Sequence, residues 1–344
     1  TRKGTTDSTA SVTTSDKIST ITEKNYIIDL KAGNILSGTI KGDGSLVLKI
    51  YFKEQFKVKY IAGTHVKFDT QTLTVDYNAK NPSFTGTPVY DTGYGNGVWT
   101  PALLTNITED TEYVLNATPN NDTQYKVEYY YQSSGVYSAT PTSSVTRKGT
   151  TDTVASVTDD DKTSTKTDLL YVFDISASNI LKGNIEADGS LILKVYFKQQ
   201  FTVKYTPGTH TTFTEETHVV DYGATTPDFE GTVKCDAGYS FKDVWTPKKA
   251  SKVTKDATYV ANAVANTNTK YTIHMYGENA TDTNYALIKS VTKTGTTGAS
   301  VTIADVVGTL DGYTYSKSKN KVGGTVITTA TIKGDGTTEI FAYF

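Results

Sequence analysis

Only one cysteine, Cys235, and one methionine, Met275, occur in 344 residues. A single thiol cannot build a disulfide framework. No run of about 18 apolar residues is present, so no membrane insertion is expected of this segment. Excess charge of either sign is missing too: 34 Lys and Arg face 36 Asp and Glu, a net of −2. No basic stripe marks a nucleic-acid partner, and no acidic tail marks a solvating segment. There is no nucleophile elbow, no phosphate loop and no metal-binding helix. The reading therefore expects no enzyme, no cofactor and no metal. No signal peptide is visible. The first residue is Thr rather than Met, and a piece of a longer protein is expected.

What is present is repetition. "TRKGTTDSTASVT" at 1–13 returns as "TRKGTTDTVASVT" at 146–158, and in softened form as "TKTGTTGASVT" at 292–302. A shift of 145 positions aligns 1–60 with 146–205 without a gap, and roughly two thirds of the positions are identical. "FKVKYIAGTH" at 56–65 meets "FTVKYTPGTH" at 201–210, and "VWTP" at 98–101 meets "VWTP" at 244–247 after one inserted residue. The period holds two alternating segments, A and B. They divide the chain into A1 (1–53), B1 (54–120), A2 (121–198), B2 (199–267) and A3 (268–344), of which A3 is divergent. A2 opens with "TQYKVEYYYQSSGVY" and A3 with "TKYTIHMYGENATDTNY". A1 has no counterpart, so the chain is read as beginning inside its first repeat.

The 24 Tyr, against 12 Phe and 2 Trp, suit half-solvated strands. "YKVEYYY", "GSLILKVYF" and "FTVKY" alternate as strands do. Asp43-Gly44 and Asp188-Gly189 signal tight hairpins. Only "ASVTDDDKT" offers a helix start. The expected class is mostly β, in units of about 65 to 75 residues, small for independent stability. Junctions at "FKEQF" and "FKQQF" read as stiff. The polar linkers "ATPNNDTQY" and "AVANTNTKY" read as more bendable.

Few residues stand out as sites. Trp99 and Trp245 read as structural aromatics packed against Tyr94 and Tyr239. Tyr129, Tyr130, Tyr131 and Tyr137 form the one group with a ligand-contact reading, because a strand rich in Tyr on both faces exposes one of them. His65 and His210 read as polar loop residues, and His218 and His274 as incidental. Cys235 aligns with Tyr90 and reads as a small buried residue. Asp159, Asp160 and Asp161 read as a solvated turn rather than a cation site. Asn34 with Asp29, and Asn179 with Asp174, are the pairs to weigh for an isopeptide bond.

Segment A resembles the mucin-binding-protein (MucBP) repeats of Gram-positive surface proteins. The carriers are "VEYYYQSSGVY", "TRKGTTDTVASVT", "YVFD" at 171–174 and "DGSLILKVYF". Segment B resembles the Listeria–Bacteroides type repeat, through "FTVKYTPGTH", "VVDYG", Pro227, "AGYSFKDVWTP" and "DATYVANA". Near-absence of Cys is compatible with such proteins. The resemblance implies tandem small β-grasp-like modules in an elongated array. It implies an extracellular, cell-wall-attached stalk that projects a distal binding region and makes weak multivalent contacts with host mucin or another glycoprotein. The alternatives are a carbohydrate-binding array on a secreted glycoside hydrolase, or a surface fibre in which neighbouring copies of the chain join by β-strand addition.

Overall fold

Alternating Val, Tyr, Phe and Thr put apolar side chains on one side of a pleated backbone, and the chain takes that form nearly throughout. In the computed structural model, which describes residues 1–281 and 284–344, strand accounts for 47 % of residues and helix for 3 %. The class is mostly β. The chain divides into two units. One comprises Thr1–Tyr129, Ser143–Asp159 and Ser178–Val195; the other comprises Tyr130–Thr142, Asp160–Ala177 and Tyr196–Phe344.

In the first unit, strand Phe52–Ala62 is the organiser. Its start pairs antiparallel with Tyr26–Ile28. Its remainder pairs antiparallel with Gln71–Asp76 and parallel with Thr111–Pro119, with Tyr60 opposite Tyr113. The strand runs from Phe52, the last residue of "KIYF", through "QFKVKY" without interruption. Its Val58 and Tyr60, together with Ile107 and Tyr113, are fully buried, and Phe68, Phe84 and Trp99 pack against them. Two short ribbons repeat each other: Thr9–Ser11 with Ser37–Thr39, and Val154–Ser156 with Lys182–Asn184. Both cross at a glycine. A Cβ on Gly38 would meet Leu46, and one on Gly183 would meet Leu191, each at 2.6 Å.

In the second unit, Phe201, Val203 and Tyr205 of strand Ile192–Pro207 repeat the pattern. They pair antiparallel with Glu216–Asp221, and Val203 and Tyr205 also pair parallel with Ala257–Ala261. A further sheet runs in the order Tyr285–Gly295, Thr269–Glu278, Thr338–Tyr343, Lys317–Lys319, Val326–Ile327. Thr269–Glu278 and Thr338–Tyr343 are parallel. Their core holds Tyr271, Ile273, Met275, Ile303, Ile332 and Ile340.

The expected helix start at "ASVTDDDKT" amounts to one 3-10 turn, Asp160–Lys162, matched by Ser15–Lys17. Asp16 takes the Arg2 guanidinium and, at 2.7 Å, the Thr13 amide. A short α-helix, Ile303–Val306, occurs at the corresponding place near the end of the chain.

Candidate functional site

The repeated phrase finds its use where B meets A. In the first unit, the turn Asp91–Tyr94 places Gly93 at φ +78°. Its carbonyl accepts the Asn120 amide at 2.8 Å and the Thr151 hydroxyl at 2.8 Å. The Thr151 amide donates to the Asn120 carbonyl at 2.9 Å, and its hydroxyl meets that of Thr123 at 2.7 Å. Thr151 is 1 % exposed. The Tyr94 hydroxyl donates to Asp152. Thr151 and Asp152 are the "TD" of "TRKGTTD".

The second unit repeats the joint. The Asn266 amide donates to the Gly238 carbonyl at 2.8 Å, and the Thr297 amide to the Asn266 carbonyl at 2.9 Å. The Thr269 and Thr297 hydroxyls lie 2.6 Å apart. Gly298 stands where the first joint has Asp152, so the tyrosine–aspartate bond has no counterpart. Close approach explains the glycines. A Cβ on Gly93 would sit 2.8 Å from Ala187 Cα, and one on Gly238 would sit 2.3 Å from Gly334 Cα. The linkers expected to bend are thus tied on both sides. Their polarity supplies the joint's hydrogen bonds.

His65 and His210 brace this turn. Both adopt positive φ, a conformation that favours Asn, Asp and His among side-chain-bearing residues. Their rings stack on Tyr94 and Tyr239 at 3.7 Å, and their Nδ1 atoms face Asp91 at 3.4 Å and Asp236 at 2.9 Å. Those tyrosines are therefore not the partners of the tryptophans, as the sequence reading had them. Trp99 packs on Tyr60 and Phe84, with centroids 5.1 and 5.3 Å away. Trp245 packs on Tyr205 and Phe229, at 4.7 and 5.3 Å, and is 7 % exposed. Burial pushes the Tyr205 hydroxyl up to about 12. Beside Trp245 an open cleft of about 750 Å³ is lined by Phe229, Phe241, Asp228, Asp243 and Lys249.

Where A passes to B, "VDY" carries a clamp. Asp76 accepts from Lys53 Nζ at 2.5 Å and Gln55 Nε2 at 2.8 Å. Asp221 accepts from Lys198 at 2.6 Å and Gln200 at 2.8 Å. Lys53 holds the Asp76 carboxyl below the usual carboxylate range, with Gln55 assisting. Burial pushes Asp221 up, but Lys198 and Gln200 outweigh it and leave it lowered.

Tyr130 and Tyr131 are both buried, although they are adjacent on strand Thr123–Ser133. Tyr130 stacks on Tyr196 at 4.6 Å and Tyr131 on Phe197 at 4.7 Å. Tyr137 meets Tyr196 edge-on at 5.0 Å and donates to Asp174 at 2.7 Å. Burial and that carboxylate raise its hydroxyl pKa. Tyr129 is half-buried. The four side chains do not form one exposed face.

Cys235 is half-exposed rather than buried, in a two-residue ribbon opposite Thr211. The Asn34 side-chain amide donates to the Asp29 carbonyl at 2.6 Å, and its oxygen accepts the Tyr51 amide at 2.8 Å, so it ties a loop. Among the described residues no group of three His, Cys, Asp or Glu is placed to hold a metal ion, and no helix is long and apolar enough to cross a membrane. The residues that the sequence reading missed are Gly93, Asn120, Thr151 and their counterparts Gly238, Asn266, Thr297. Their signal was present as "TGY" and "AGY", paired at a distance with "GTT". No protein-family model and no curated protein matches the chain.

Proposed function

We propose that this chain is a non-enzymatic stalk region of a Gram-positive cell-surface adhesin. Five β-grasp-like modules follow one another: MucBP-like at 1–53, 121–198 and 268–344, and Listeria–Bacteroides-like at 54–120 and 199–267. Their task is to hold a distal binding region away from the cell wall, with weak multivalent contacts to host glycoprotein along the way. One observation carries the reading: the same joint, built from Gly, Asn and Thr, recurs at 93–151 and 238–297. A chain that stiffens its links twice in the same way is suited to reach. Parallel pairing of Phe52–Ala62 with Thr111–Pro119 and of Thr269–Glu278 with Thr338–Tyr343 supports the β-grasp-like reading. Small-angle scattering should return a rod of roughly 150 Å, five units of about 30 Å each. A globular particle overturns the proposal.

The open cleft beside Trp245 favours a second reading, a carbohydrate-binding array. Glycan binding that Phe241→Ala abolishes at unchanged stability would support it.

A further inference from the structure

In segments B1, B2 and A3 the first strand and the last lie side by side and run parallel. In B1, residues 58–62 pair with 111–115, with Tyr60 opposite Tyr113. In B2, residues 203–207 pair with 257–261, with Tyr205 opposite Tyr259. In A3, residues 271–276 pair with 338–343, with Ile273 opposite Ile340. Each ladder carries side chains that water does not reach. Val58, Tyr60 and Tyr113 are fully buried, as are Val203, Tyr205 and Ala261, and Ile273 and Ile340. In B1 the Asn81 side chain also ties the ladder crosswise, 3.3 Å from the hydroxyls of both Tyr60 and Tyr113.

Strand direction decides how such a ladder meets tension. When a chain is pulled along its length, force enters at the start of the first strand and leaves at the end of the last. In an antiparallel pair those two points share one end, and the bonds open one after another. In a parallel pair they lie at opposite ends. The strands are then dragged past each other, and the evenly spaced bonds are loaded together. Sliding cannot proceed in single steps either, because a slip of one residue turns every side chain to the other face. The buried tyrosines and isoleucines oppose that slip.

We propose that these three ladders are tension clamps, and that bearing load is a function of the chain in addition to reach. The proposal rests on the stalk reading, in which tension runs along the chain. Residues 63–110 in B1, 208–256 in B2 and 277–337 in A3 lie between the clamped strands, and load bypasses them until the clamp fails. The joints stand where load leaves each B clamp. Strand Thr111–Pro119 runs into Asn120, which is bonded to Gly93 and Thr151, and Ala257–Ala261 leads to Asn266, which is bonded to Gly238 and Thr297.

The test pulls single molecules of the whole chain between two thiol handles, with Cys235→Ser removing the native thiol. In B1, handles at Lys57→Cys and Pro119→Cys load the ladder in shear, whereas Lys57→Cys and Glu109→Cys peel it from one end. In A3, Lys270→Cys with a cysteine added after Phe344 gives shear, and Lys270→Cys with Thr337→Cys gives peeling. The replaced residues at 57, 109, 119, 270 and 337 are all exposed, so the handles leave the segments folded. At equal pulling speed, shear should require at least about twice the force of peeling, since several ladder bonds share the load in one and a single bond carries it in the other. Equal forces in the two arms of either segment overturn the clamps and leave the rod of the scattering measurement standing. The expected ratio in a globular particle overturns the load-bearing function through the stalk reading, not through the clamps.

Discussion

Thr151 and Thr297 are small polar residues in a polar phrase, and each joint closes on one of them. Each side chain is buried and makes its bonds inside the joint. Thr297→Val keeps the shape and deletes the hydroxyl, leaving Thr269 without its partner. A loss of about 1–3 kcal/mol is expected, the usual cost of stranding a buried polar group. Chemical denaturation of the second unit, read against wild type, checks it. Gly238→Ala acts through backbone conformation and space together. Positive φ and a backbone atom at 2.3 Å both oppose a Cβ. The expected cost exceeds about 1 kcal/mol, because the native conformation is incompatible with the new residue. Stability equal to wild type would mean that the joint relaxes freely.

At the scale of the element, the tryptophans and the clamped strands carry the predictions. Trp245 sits among Tyr205, Phe213, Phe229 and Phe241. Trp245→Ala should cost about 3–5 kcal/mol through the cavity it leaves, measured by urea unfolding. The strand Phe52–Ala62 is held across the A-to-B passage by Asp76 on Lys53 and Gln55. Asp76 and Asp221 both titrate below the ordinary 3.8 when folded. A lowered folded pKa adds stability above the unfolded value and loses it as pH falls through the folded value. Stability should therefore be flat in this respect from neutral pH down to about pH 4, then decline below it. Asp76→Asn with Asp221→Asn should flatten that decline, as followed by melting temperature between pH 7 and pH 3. An identical acid decline in the double variant would remove the clamp from the account.

For the whole molecule, the energetic picture is one of repeated small cores. Neither a disulfide nor a metal cluster is found among the described residues. One cysteine cannot close a disulfide within the chain, so melting temperature should be unchanged by a reductant.

Composition and period made the strand-rich class legible, because Tyr, Val and Thr in alternation fit a pleated surface and little else. The single strands through "FKEQF" and "FKQQF" were legible for the same reason. The two-layer tyrosine cluster was not. Tyr130 and Tyr131 point to opposite faces in an ideal strand, and only packing on Tyr196 and Phe197 buries both. The joints were half legible. The phrase "TRKGTTD" announced itself by repetition, but its partners Gly93 and Asn120 lie tens of residues away. Sequence alone thus determined the strand-rich class and which segments are equivalent, since those depend on composition, local pattern and period. Tertiary structure alone decided what each copy does. Leu48 and Leu193 are the same residue in the same phrase, and one is half-exposed while the other is fully buried, because burial is set by the strand that lies alongside.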